Sequence, residues 1–127
     1  IVTSRMAPPA SAWMSDPVRA GWLADPLAID VALQAVILWS QERRGKPCLP
    51  CGIVSYRQFR RTLPLDGIRI IVKIQPPADR MIRCDIDFVD MQGLLVARME
   101  GCENVIDASL TAAFKSAKAA GILVSVS

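Results

Sequence analysis

The chain of 127 residues contains no histidine. A mechanism that needs an imidazole base, or a metal held by imidazole, is therefore not completed by these residues alone. Charge of one sign is also scarce. Fifteen Lys and Arg stand against 12 Asp and Glu, a net charge of +3, which does not point to a nucleic-acid binder. No apolar run approaches the roughly 18–20 residues that span a bilayer. The chain opens Ile1-Val2-Thr3, without the basic-then-apolar leader of a secretory signal. These absences suggest a cytoplasmic setting, and the start without Met suggests a processed chain or an excised piece.

Apolar types make up 52 % of the residues and charged types 21 %. That is rich enough for a core and too apolar for a disordered tail, at a length suited to one domain or half of a larger one. The four cysteines are Cys48, Cys51, Cys84 and Cys102. Cys48-Leu49-Pro50-Cys51 is a CxxC, but zinc asks for a second close pair, and Cys84 and Cys102 lie far apart in sequence. No metal site is expected. A redox CxxC normally opens a helix, whereas this one is expected in a Pro-rich loop leading into a strand. The thiols therefore read as structural or incidental.

Residues 1–24 hold Pro8, Pro9 and Pro17 among Ser and Ala and read as an irregular lead-in, with Trp13 and Trp22 pinning it to a surface. Asp25-Pro26 starts a helix: Asp caps free N–H groups, and Pro tolerates the first position because its missing donor has no partner there anyway. The helix should run from about Leu27 to Arg43 or Arg44, with Gly45 taking the left-handed conformation and Pro47 preventing continuation. From Leu27 to Trp39 it leaves almost no polar face, so it should be enclosed by other structure.

The period then changes to two. Strands are predicted over Ile53 to Arg60, Ile68 to Gln75 and Met81 to Asp90. Asp90-Met91-Gln92-Gly93 is a turn, and Leu94 to Glu100 is the returning strand. Asp107 should cap a short helix to about Ala120, with Leu110, Ala113, Phe114 and Ala117 on one side. Gly121 ends it, and Ile122 to Ser127 form an apolar tail. One long helix followed by a four-stranded antiparallel meander is an α+β layout, in which a curved sheet wraps the helix. Residues 25–127 then form one domain, and its open sheet edge predicts pairing with a second copy or a second half.

Asp30 and Gln34 are the only polar interruptions of the helix before Ser40. Four apart, they share one face. A carboxyl at the mouth of an apolar tunnel favours its protonated form and becomes a proton donor, with the Gln34 amide to hold it. The plainer alternative is that Asp30 faces a solvated gap or bonds backbone near the helix start. Ile37, Leu38, Ile53 and Val54 suit the lining of a site for an apolar chain, although core packing explains the same residues. Arg57, Arg60 and Arg61 surround Tyr56 and Phe59 and suit docking of an acidic protein or a phosphate; otherwise they are a solvated strand face. Asp85 and Asp87 share one side of a strand. They lack companions for a metal, so a solvated face near Arg69 and Lys73 is the better reading.

The stretch Trp22-Leu23-Ala24-Asp25-Pro26-Leu27-Ala28-Ile29-Asp30-Val31-Ala32-Leu33-Gln34-Ala35, followed by Trp39, resembles the second half of the dehydratase domains of modular polyketide synthases and polyunsaturated fatty acid synthases. Their signature is a P-x-x-x-D-x-x-x-Q helix. Leu49-Pro50, Pro64, Gly67, Asp85-Ile86-Asp87-Phe88 and Met99-Glu100-Gly101 agree with the strands that follow. The resemblance covers roughly residues 20 to 105.

It implies a double-hotdog fold of which this chain is the C-terminal half. In that family a His from the first hotdog removes the α-proton of a 3-hydroxyacyl thioester, and the Asp of the second protonates the departing hydroxyl. Asp30 corresponds to that Asp, and Gln34 to the Gln that bonds it. The substrate rides on the phosphopantetheine of an acyl carrier protein, and no cofactor belongs to the domain itself. The family's His motif, H-x-x-x-G-x-x-x-x-P, is absent, as is its Tyr-Gly-Pro segment. The base must then come from an N-terminal hotdog, in the same parent chain or a separate subunit. Two other readings stand beside this one. The first is a non-catalytic hotdog that assembles or dimerises a synthase. The second is a hotdog thioesterase, which also uses a carboxylate on the long helix.

Overall fold

The computed structural model describes residues 23–76, 78–110 and 112. The expected lead-in up to Trp22, most of the short helix after Asp107, and the tail from Gly121 lie outside the described residues. The long helix, α1, spans Pro26–Arg44. Oδ1 of Asp25 accepts the N–H of Leu27 at 2.9 Å and that of Ala28 at 3.3 Å, and Pro26 takes the first turn. At the other end Gly45 sits at φ 67° and donates its N–H to the Gln41 carbonyl. Both boundaries follow from the residues that predicted them.

The strands are β1 (Cys48–Gly52), β2 (Ser55–Gln58), β3 (Arg69–Ile74), β4 (Met81–Val89) and β5 (Leu95–Ile106). All pairings are antiparallel. The sheet runs β1-β5-β4-β3, and β2 also pairs with β5. The expected four-stranded meander is thus a five-stranded open sheet. Only β3, β4 and β5 follow one another as neighbours; β1 and β2 come earlier in the chain and share the far side of β5.

The structure departs from the expected strands at two places. The CxxC is not in a loop but makes up β1, with Cys48 opposite Ile106 and Pro50 opposite Asn104. Pro50 is tolerated because β1 is an edge strand, where a missing N–H costs no ladder bond. The strand expected from Ile53 is broken instead, β1 ending at Gly52 and β2 beginning at Ser55. The cause is a bulge in β5. Ile86 pairs with Met99 and Cys84 with Cys102, so Glu100 and Gly101 together oppose Asp85. Gly101 adopts φ 63° and gives its N–H to Asp85 Oδ1 at 2.8 Å. A Cβ there would lie 2.5 Å from Val54 Cγ2, so the position needs glycine on both counts.

One face of the sheet carries Ile70, Val72, Ile82, Cys84, Ile86, Phe88, Ala97, Met99 and Cys102. Against it α1 packs Ala28, Ala32, Ala35 and Val36. Small residues at that spacing let the helix approach closely. Tyr56 meets Phe88 edge to face, centroids 6.2 Å apart. The turn after β4 is as predicted: Asp90 Oδ1 accepts the N–H groups of Gln92 and Leu94, and Gly93 takes φ 88°. The architecture is α+β, one helix across an open antiparallel sheet, and is compatible with a hotdog fold.

Candidate active site

Helical geometry decides which way the two polar residues of α1 point. Asp30 lies about 200° round the helix from Ala28, so it faces away from the sheet. Gln34, one turn on, donates from Nε2 to Asp30 Oδ2 at 2.7 Å. The expected pairing of amide and carboxylate is present. The expected burial is not: Asp30 is exposed and Gln34 half-buried. A single sheet covers only one side of a helix, and the fully buried residues of α1 are Ala28, Ala32, Ala35, Val36 and Ser40. Within the described residues, the helix is not enclosed.

The stripe containing Asp30 and Gln34 continues into Ile37 and Leu38 by helical spacing, and both are half-buried. Ile53 and Val54 stand elsewhere, 46 % and 82 % exposed in the link between β1 and β2. Of the proposed acyl-lining residues, the helix therefore groups two with the carboxylate.

The three arginines do not form one patch. Arg57 lies 3.8 Å from Glu100. Arg60 lies 3.0 Å from Asp90, whose buried carboxyl is also bonded to backbone N–H groups. The Leu94 N–H first, and then Arg60, hold Asp90 below the usual carboxylate range. Arg61 is exposed. The Gln58 amide gathers the carbonyls of Arg60 and Arg61, which fixes this loop.

The largest electrostatic feature escaped the sequence reading. Asp87, expected on a solvated face, is 6 % exposed. It accepts from Arg98 Nε at 2.6 Å, Arg98 Nη2 at 3.0 Å and Lys73 Nζ at 2.7 Å. Arg98 is the main cause that holds its carboxyl low, with Lys73 adding to it against the effect of burial. Arg98 pairs with Asp87 across β4 and β5, a register that alternation alone does not reveal. Asp85 is engaged by the Gly101 N–H. No group of three or more potential metal ligands occurs among the described residues.

Three of the four thiols are buried. Cys48 is buried and Cys51 exposed, as positions three apart on a strand must point to opposite faces, so the CxxC pair does not meet. Burial pushes the Cys48 thiol up. Cys84 and Cys102 face each other across β4 and β5, both reduced and buried. Their mutual hydrogen bond keeps the proton on Cys84.

A cleft of about 830 Å³ opens at the far end of α1, beside Arg44, Lys46 and Arg80. Fourteen residues along the helix from Asp30, it lies about 21 Å from that carboxylate and is a separate feature.

Residues 2–104 match the family model described as polyketide synthase dehydratase N-terminal domain. The match takes in most of the chain, and the chain belongs to the polyketide synthase dehydratase family. No curated protein and no solved structure matches it. The family match extends over the lead-in as well as α1 and the sheet. The matched family is that of the N-terminal domain; the expected C-terminal placement rests instead on the Asp30–Gln34 helix. No helix among the described residues is long and apolar enough to cross a membrane.

Proposed function

We propose that this chain is the acid-bearing half of a 3-hydroxyacyl-carrier-protein dehydratase of polyketide or polyunsaturated fatty acid synthesis. The observation that carries the reading is the 2.7 Å bond from Gln34 to Asp30, with half-buried Ile37 and Leu38 on the next turn of the same stripe. With the amide fixed on one oxygen, the other is free to hold and deliver a proton.

In this reading a His from an N-terminal hotdog, in the same parent chain or another subunit, takes the α-proton of the substrate. The C–H electrons form the new double bond, the β C–O bond breaks, and Asp30 protonates the departing hydroxyl as water. The chain's lack of histidine requires that outside base and argues for the acid-bearing, C-terminal half. The exposed face of α1 is where the second hotdog would pack. That packing would desolvate Asp30 and enclose Ile37 and Leu38 against the acyl chain, with Ile53 and Val54 farther out. The substrate arrives on the phosphopantetheine of an acyl carrier protein. Arg61 is the docking cation least committed within the chain, since Arg57 and Arg60 carry carboxylate partners. The setting is cytoplasmic, and the assembly at least a dimer of hotdogs.

The test is Asp30→Asn in the intact two-hotdog protein. General-acid catalysis contributes about 10²–10⁴-fold, so dehydration should fall by at least about 100-fold while the fold persists. Gln34→Ala should cost less, because the acid remains. Unchanged dehydration by Asp30→Asn sinks the assignment. It would favour the second reading, a non-catalytic hotdog that assembles a synthase, which the exposure of Asp30 in this chain also suits.

A further inference from the structure

Among the described residues five cations are ion-paired, while Arg43, Arg61 and Arg69 stand singly without a carboxylate and three more gather at one cleft. On the sheet and its loops, Arg57, Arg60, Lys73, Arg83 and Arg98 each have a carboxylate within 4.0 Å. Around the cleft at the C-terminal end of α1, Arg44, Lys46 and Arg80 make no ion pair among the described residues, although Asp79 and Asp107 share the same walls. The Asp107 carboxyl is turned to its own turn, accepting the Ser109 N–H at 2.8 Å. Residues 1–22 contain one carboxylate, Asp16, and residues 108–127 contain Lys115 and Lys118 but no Asp or Glu.

A helix C-terminus itself attracts positive charge, but only to the extent of about half an elementary charge. Arg43 and Arg44, in the last turn, are more than enough for that. Lys46 and Arg80 are surplus to it. The walls that carry them are fixed. Ser40 Oγ donates to the Lys46 carbonyl at 2.7 Å, Ile106 N–H bonds the Arg80 carbonyl at 2.9 Å, and Asp107 N–H bonds the Pro47 carbonyl. Arg44 Nη1 reaches the Ala78 carbonyl at 3.4 Å.

We propose that this cleft binds a phosphate ester. Two guanidinium forks and an ammonium group suit the several oxygens of a phosphate, and such charge-assisted bonds are the strong ones. Asp79 repels a bare anion but accepts from an amide or hydroxyl next to the phosphate. The site therefore prefers an esterified phosphate with a neighbouring donor over inorganic phosphate. The proposal does not depend on Asp30 acting as an acid.

The experiment is titration of the ¹⁵N-labelled protein with inorganic phosphate and, separately, with 4′-phosphopantetheine, followed by amide shifts. Both should give saturable shifts at residues 44–46, 79–81 and 105–108, the ester binding more tightly. Lys46→Ala with Arg80→Ala should weaken binding at least tenfold. Arg83→Ala, which removes a cation already paired with Glu103, should leave it unchanged. Absence of saturable shifts with either probe, equal weakening by Arg83→Ala, or shifts confined to the Arg57–Arg61 loop would overturn the proposal. Dehydration assays on Asp30→Asn report on the other end of the helix and leave this outcome independent.

Discussion

Removing the Asp87 carboxylate tests the electrostatic reading of the sheet most directly. Asp87→Ala deletes three charge-assisted hydrogen bonds, two from Arg98 and one from Lys73. Stripping one partner from a fully buried pair costs about 3–5 kcal/mol, and an exposed pair contributes about 0–1 kcal/mol. The Asp87 side chain is 8 % exposed, but those of Arg98 and Lys73 are 35 % and 57 % exposed. The orphaned cations can turn to water, so the loss should fall between the two limits, at about 2 kcal/mol. For a domain of this size that lowers Tm by roughly 8–16 °C. The pH dependence has a definite sign. The folded carboxyl is held low, so its contribution is fully present above the unfolded value of about 3.9 and is lost as pH falls through the folded value. Thermal unfolding followed by circular dichroism should show a constant gap between the parent and Asp87→Ala from pH 6 to 8. The gap should narrow below about pH 4. A gap under about 2 °C at pH 7, or one that fails to narrow in acid, refutes the reasoning.

Two further outcomes follow from the backbone and the thiols. Gly101→Ala forces a Cβ to within 2.5 Å of Val54 at a left-handed φ and should destabilise by about 2 kcal/mol or more, read as a lowered urea midpoint; paired with Val54→Ala the loss should shrink, because the contact is relieved and the conformational strain stays. A thiol reagent added to the native protein should modify Cys51 rapidly, with Cys48, Cys84 and Cys102 reacting only on unfolding. Rapid reaction of more than one thiol contradicts the burial described.

Local signals made much of the fold legible. Asp25-Pro26 and Gly45 bound the helix because capping depends on residues a few positions apart. The alternation in β3 and β4 needed no partner to be seen. What was not legible depends on distant pairing. Pro50 made β1 look like a loop, since its tolerance at an edge is clear only once β5 lies beside it. Gly101 read as the end of a strand, whereas in register with Asp85 it is a bulge within one. At the candidate site, the Asp30–Gln34 spacing predicted their hydrogen bond correctly, because both residues belong to one helix. It did not predict solvent contact, which depends on what packs over the outer face. Asp87 erred the other way: its alternation is that of a solvated residue, and Arg98 and Lys73 cover it from the two neighbouring strands.

Strand β5 borders β1, β2 and β4, so three ladders dissolve if it is lost. During synthesis, the segments that become β1 and β2 leave the ribosome roughly forty residues before their neighbour begins, with β1 and β2 ending at Gly52 and Gln58 and β5 beginning at Leu95. Until the twelve residues of β5 emerge, β1 and β2 have no ladder partner and Cys84 lacks the Cys102 that faces it. That interval is when a nascent chain of this kind is most open to chaperones and to self-association. A stop codon placed shortly before Leu95 would therefore yield a sticky polypeptide, not a smaller version of the domain.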